Sequence, residues 1–206
     1  MDIRKKLAEY TKLIWKRRLT ESVGGNMSIR VDDRILITPT FTVKYFLREE
    51  DLVEMDLTGK ILKGTRKPSS EYRMHLKIYK TCSDVKAILH AHPLHATLLA
   101  TMGEKIPTEL LAETALFLKD IAYLPYETPG TQEFADMFEK PLKEGARIFI
   151  LKNHGVTVAG DDIEEAYAKL EMLEFLCQLI CIMGVENARK YCIPPFKVKE
   201  LLRKKG

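Results

Sequence analysis

The chain has 206 residues, 46% of them hydrophobic and 30% charged, with a formal net charge of +4. That length suits one ordinary domain that buries a core without staples, and no window has the uninterrupted apolar length of a membrane span. The mild positive charge is scattered rather than gathered in a stripe, which gives no support to a nucleic-acid partner, and Cys82, Cys177, Cys181 and Cys192 are too few and too irregular for a disulfide framework.

The first segment, MDIRKKLAEYTKLIW, mixes charged and apolar residues at helical spacing. It predicts an amphipathic helix over about 2–19 and lacks the apolar block of a secretory signal, so a cytoplasmic location is expected. A Gly-containing turn leads to short β-type runs at NMSIR and RILITPT, and a helix is expected to begin near Ser69 or Ser70. DVKAILHAH reads as a buried strand stopped by Pro93. Helical patterns follow at about 94–101 and 108–118, then a strand near 121–124 and a helix near 131–143. RIFIL and VTVAG flank KNHG as the arms of a hairpin. The last long helix, 161–184, ends at Gly184 and carries Cys177 and Cys181 on an apolar face, where they read as core rather than as a metal pair. Residues from about 186 to 206 form a Pro-containing tail. With no linker or internal repeat, 1–206 is read as a single α/β domain.

Three of the five histidines, His90, His92 and His95, fall within six consecutive residues. In a strand, residues two apart project to one face, so His90 and His92 point one way and Ala91 the other, and a divalent metal can be held between them. The competing reading is a pair of half-buried histidines bonded to backbone. His95 falls on the first turn of the next helix and is assigned to an outer layer or the surface. A catalytic zinc commonly takes three protein ligands. Of the remaining histidines, His154, in a turn before Gly155, is a better third ligand than His75.

In KPSSEYRMH, Ser69 and Ser70 stand where hydroxyls cap free helix amides and where anions bind. Glu71 in the first turn either complements the helix dipole or, beside a metal and a phosphate, acts as a general base, with His75 packing one turn on. The paired glycines before Asn26 suggest a turn whose amides approach an anion, with a plain loop as the alternative.

GGNMSIR, ITPT, KPSSEYRMHLKIY, HAHP and KNHG occur in that order across about residues 20–160. Together they resemble the class II sugar-phosphate aldolase and adducin-head family, most of all its L-fuculose-1-phosphate aldolase branch; the family also contains epimerases, dehydratases and the non-catalytic adducin head. The resemblance implies a class II aldolase-like α/β fold, with a central, mainly antiparallel sheet flanked by helices. It implies one zinc ion per subunit on His90, His92 and His154, Glu71 as the catalytic acid/base, and a phosphate held by Asn26, Thr40, Ser69, Ser70 and the backbone amide of Phe41, whose side chain narrows the pocket. The implied reaction cleaves a ketose 1-phosphate to dihydroxyacetone phosphate and a small aldehyde, in a homotetramer with sites at subunit interfaces. One departure stands out: the branch carries a tyrosine proton donor after IP, whereas this chain has Leu111 near that place. Glu113 and Glu109 from the same segment, and Tyr191 in the tail, are the candidates for a second acid/base.

Overall fold

The computed structural model describes residues 2–203. The first helix, α1 (Ile3–Lys16), starts where the Asp2 side chain accepts the Arg4 amide, and it turns Leu7, Ala8, Thr11 and Ile14 inward at helical spacing. It stops short of residue 19 because Arg18 takes a left-handed φ of 57°. Eight strands follow: β1 (Asn26–Val31), β2 (Arg34–Ile37), β3 (Val53–Asp56), β4 (Ile61–Lys63), β5 (Ala87–Ala91), β6 (Ile121–Leu124), β7 (Ile148–Leu151) and β8 (Gly155–Gly160). They form one sheet in the order β4-β3-β2-β1-β5-β8-β7-β6. Every pairing is antiparallel except β6 with β7. The mainly antiparallel α/β sheet expected from the sequence is therefore the observed one.

The helices are α2 (Tyr72–Thr81), α3 (Leu94–Met102), α4 (Ala112–Phe117), α5 (Gln132–Asp136), α6 (Glu139–Lys143), α7 (Ile163–Met183), α8 (Val185–Lys190) and α9 (Pro195–Arg203). Alternation along β5 divides them between two layers. Ala87, Leu89 and Ala91 face a core built with Leu7, Ile14, Leu99, Leu170, Leu173 and Cys177 from α1, α3 and α7. Ile88 faces the other side, against Met74, Ile78 and Tyr79 of α2, Phe134 of α5, Phe138 just before α6 and Leu142 of α6. Each layer buries one face of the sheet. Cys177 is fully buried and Cys181 packs partly buried beside the same cluster, as core residues do.

Several boundaries differ from the sequence pattern. The helix expected over 131–143 is two short helices, because Pro141 has no amide to continue the ladder and sits in the first turn of α6. The sequence reading does not include β3 and β4: the alternation in VEMD of β3 runs for only four residues, and all three residues of β4 are exposed, so no alternation marks it. The tail contains α8 and α9, with the Ile193 amide bonded to the Glu109 carbonyl at 2.9 Å; residues 204–206 of the expected tail lie outside the described residues. Among the described residues, no helix is long and apolar enough to cross a membrane.

A polar seam joins α2 to the sheet. His75, fully buried, has Nδ1 2.7 Å from Ser28 Oγ on β1, and the Tyr79 hydroxyl lies 2.8 Å from the same oxygen. Burial pushes the His75 pKa down to about 3 from its ordinary 6.5. Between those values the unfolded chain binds a proton that the folded chain refuses, so stability falls as pH is lowered through that window. His75→Gln is expected to make this dependence shallower by about one proton, or about 1.4 kcal/mol per pH unit, in urea unfolding with a chelator present between pH 6 and 4.5. Identical slopes in the two proteins would exclude a buried neutral His75.

Candidate metal centre and active site

His90 lies in the middle of the sheet, paired with Asn26 of β1 on one side and Thr157 of β8 on the other. Its ring is fully buried on the α2 side, with Nδ1 3.1 Å from Thr157 Oγ1. His92 follows the end of β5, and its Nε2 lies 3.2 Å from that of His90, while Nδ1 meets the Glu21 carboxylate at 3.1 and 3.3 Å. His154 occupies the turn between β7 and β8, where Asn153 takes a left-handed φ of 56°. Its ring centre is 4.6 Å from that of His90 and 5.3 Å from that of His92. The candidate ligand atoms of the three residues all lie within 4.8 Å of one another. The hairpin and the shared face of His90 and His92 follow the sequence reading.

Burial holds the His90 pKa well below its ordinary value and brings His154 down to about 4, so both rings are neutral near pH 7 and keep a lone pair. Glu71 is almost wholly buried. Its Oε2 lies 3.6 Å from His90 Nε2 and 3.8 Å from His154 Nε2 and has no hydrogen-bond partner. Burial raises its pKa to about 7, against an Asn26 hydrogen bond that lowers it. Three converging imidazoles, with an orphaned carboxylate oxygen beside two of them, fit a divalent cation. Two imidazole nitrogens on a tetrahedral zinc, at about 2.0–2.1 Å from the ion, stand about 3.3 Å apart.

The seam described above continues into this site. Asn26 Nδ2 donates to Glu71 Oε1 at 3.2 Å, and Asn26 Oδ1 bonds His75 Nε2. The amide oxygen can only accept, so a neutral His75 carries its proton on Nε2 and accepts at Nδ1 from Ser28, which in turn accepts from Tyr79. The hydrogen bonds thus all donate in one direction, toward Glu71. Glu71 itself is the residue before the first turn of α2, not within it, and neither Ser69 nor Ser70 starts the helix. Instead Ser69 Oγ accepts the Glu71 amide at 3.2 Å, which fixes the carboxylate's approach.

The anion-binding candidates meet at one rim. The Ser69 amide bonds the Thr38 carbonyl, and the Thr40 amide bonds that of Lys67, placing Thr40 and Phe41 beside Ser69 and Ser70. Phe41 adopts a left-handed φ of 48° and is 88% exposed. Gly25, with φ of 71°, sits where a Cβ would come within 2.5 Å of the His90 carbonyl, so the turn before Asn26 presses directly on β5. Lys44, fully buried, donates from Nζ to the carbonyls of Val23 (2.9 Å) and Thr42 (3.3 Å) and joins the two loops. Burial lowers its pKa to about 8.

Other candidates lie elsewhere. Glu109 and Glu113 are exposed near the C-terminal segment and Tyr191 is exposed on it; among the described residues, no hydrogen bond or ion pair joins any of the three to the histidine cluster. His95 bonds Glu174 of α7 at 2.8 Å, and that carboxylate also accepts the amides of His95 and Ala96, so His95 belongs to the α3–α7 junction. Sequence reasoning missed Thr157, Glu21 and Lys44. Alternation in VTVAG places Thr157 on the same face as the paired histidine; nothing in the sequence signals the other two.

Residues 5–181 match the Class II Aldolase and Adducin N-terminal domain family. Among curated relatives, an L-fuculose phosphate aldolase from Methanocaldococcus jannaschii is 40% identical over 172 residues, 83% of this chain and 91% of the relative. A 5-deoxy-D-ribulose 1-phosphate aldolase from Bacillus thuringiensis serovar kurstaki is 34% identical, covering 85% of this chain and 83% of its own. A solved structure of an L-fuculose 1-phosphate aldolase superimposes with a TM-score of 0.86 at 32% identity, over 98% of this chain and 95% of that one. A family match over most of the length, on a sheet that carries the motifs in the family's order, establishes that the chain belongs to the class II aldolase and adducin N-terminal domain family.

Proposed function

We propose that the protein is a zinc-dependent aldolase that cleaves a ketose 1-phosphate, L-fuculose 1-phosphate or a close analogue, to dihydroxyacetone phosphate and a small aldehyde such as lactaldehyde. The observation that carries this reading is the convergence of His90, His92 and His154 on one another beside the unpartnered Oε2 of Glu71. The aldolase names of both curated relatives support carbon–carbon cleavage of a sugar phosphate.

His90, His92 and His154 would hold the metal, one ion per subunit. When bound, it supplies Lewis-acid stabilisation of the charge that develops on the ketone and neighbouring hydroxyl oxygens. Breaking the bond between C3 and C4 leaves an electron pair on C3, and Glu71 delivers a proton there to complete dihydroxyacetone phosphate; in the aldol direction it removes that proton again. A carboxyl whose pKa is raised to about 7 by burial is suited to both steps near neutral pH. The O4 hydroxyl proton needs a second base as the aldehyde forms. Glu113, Glu109 and Tyr191 remain its candidates, reaching the site of a neighbouring subunit in a homotetramer. Ser69, Ser70, Asn26, Thr40 and the Phe41 amide anchor the phosphate. Anchoring that remote dianion fixes the reacting carbons relative to Glu71 and spends binding energy on orientation. A cytoplasmic setting is the one in which such a sugar-phosphate enzyme would work.

In an assay for dihydroxyacetone phosphate released from L-fuculose 1-phosphate, Glu71→Gln is expected to lower kcat by about 10²–10⁴-fold without loss of bound metal. Full activity in this variant would remove Glu71 from the reaction, and no turnover by metal-loaded wild type would remove this substrate. Dialysis against a chelator should abolish turnover and added zinc should restore it, whereas His154→Ala should fail to recover at the same zinc concentration. Turnover that survives metal removal would exclude the metal-dependent reaction.

A further inference from the structure

We propose that Glu21 is a positioning residue for His92, holding its ring in the metal cradle and setting how tightly, and for how long, a cation is retained. The inference rests on the reading of His90, His92 and His154 as metal ligands.

The three imidazoles are held unequally. His90 is fully buried, locked between β1 and β8 by strand pairing and by Thr157 Oγ1. The His154 side chain is 12% exposed and belongs to a tight turn whose ends are fixed by β7 and β8. His92 stands past the last residue of β5, and its side chain is 23% exposed. Its Nδ1 bonds only the Glu21 carboxylate, at 3.1 and 3.3 Å. His92 is therefore the ligand that rotates out most easily, and Glu21 is what opposes that rotation.

The loop between α1 and β1 is shaped to present this carboxylate. Thr20 Oγ1 donates to Glu21 Oε2 at 3.3 Å, and Lys44 pins the loop by its bond to the Val23 carbonyl. The carboxylate lies across Gly24, where a Cβ would fall 1.7 Å from Glu21 Oε1. Any side chain at residue 24 would displace it. An anionic acceptor at Nδ1 favours the tautomer that carries its proton there and leaves the Nε2 lone pair toward His90 Nε2. The carboxylate also makes the imidazole a better electron donor. Glu21 stays on the solvent side, its side chain 57% exposed, and among the described residues its only hydrogen bond to the cradle is the one to His92, although its charge is also felt by His154.

Zinc affinity, read by competition with a chromophoric chelator, and the rate of zinc release into excess chelator would be compared in wild type, Glu21→Ala, Glu21→Gln and Gly24→Ala. Glu21→Ala is expected to bind zinc about 10–100-fold more weakly and to release it correspondingly faster, with Glu21→Gln in between. Gly24→Ala, which keeps the carboxylate but drives it from its place, should resemble Glu21→Ala. The Tm of the metal-free protein should be the same in all four. Unchanged affinity and release in Glu21→Ala would overturn the proposal, as would a loss of affinity matched by an equal loss of metal-free Tm in every variant. A wild type that takes up no zinc would overturn the metal reading as well. A wild type that holds zinc without cleaving any ketose phosphate would bear only on the reaction.

Discussion

The register of β5 between its two neighbours is the constraint on which the site depends. Asn26, His90 and Thr157 form one row across β1, β5 and β8. A slip of one residue would carry His90 to the face of Leu89 and Ala91, into an apolar core with no acceptor for it. Pairing on both edges also dries the strand. All five residues of β5 are buried, so the ring of His90 meets protein donors and acceptors in place of water and stays uncharged. The same burial that would penalise a charged imidazole makes it a neutral ligand.

Around that row the polar groups are satisfied in a chain, and the exceptions are informative. Tyr79, Ser28, His75 and Asn26 hand hydrogen bonds toward Glu71 through an interior where each unpartnered group would cost about 1–3 kcal/mol. Only three buried side-chain atoms among the described residues lack a partner, and two of them, Glu71 Oε2 and His154 Nδ1, belong to the site. The fold thus concentrates its unsatisfied polarity at the histidine cluster, a pattern that stability alone does not favour. Glu71 is held firmly by one oxygen and left free at the other.

How much of this was legible in the sequence depended on the range of the interaction concerned. The shared face of His90 and His92 follows from the two-residue period of a strand, and the hairpin that carries His154 follows from two β-type runs around a short polar turn; both are local facts, and both hold. The start of α2 falls at Tyr72, two to three residues after the expected Ser69 or Ser70, where the Ser69 amide is bonded to the Thr38 carbonyl, a tertiary tie that propensity cannot reveal. Strand β4 exists by pairing with β3 and has no buried face to leave a pattern. Glu21 and Lys44 were invisible for a similar reason: an acidic residue after a helix and a lysine near aromatic residues look like solvated surface until the loops that carry them are folded together. The left-handed backbone of Phe41 was equally illegible, being a property of the loop's path rather than of the residue.

The division between the sheet and the rim has a consequence for how such a protein changes over generations. Of the candidate metal ligands, His90 is set by strand pairing on both sides, His92 by the end of the same strand and His154 by a tight hairpin. The candidate anion-binding groups, apart from Asn26 at the start of β1, come from the connections after β2 and before α2, which are joined by backbone bonds. Substitutions in those connections can therefore alter the rim while leaving the row of strand pairings beneath it untouched. One scaffold can acquire new substrates without having to reinvent its reaction.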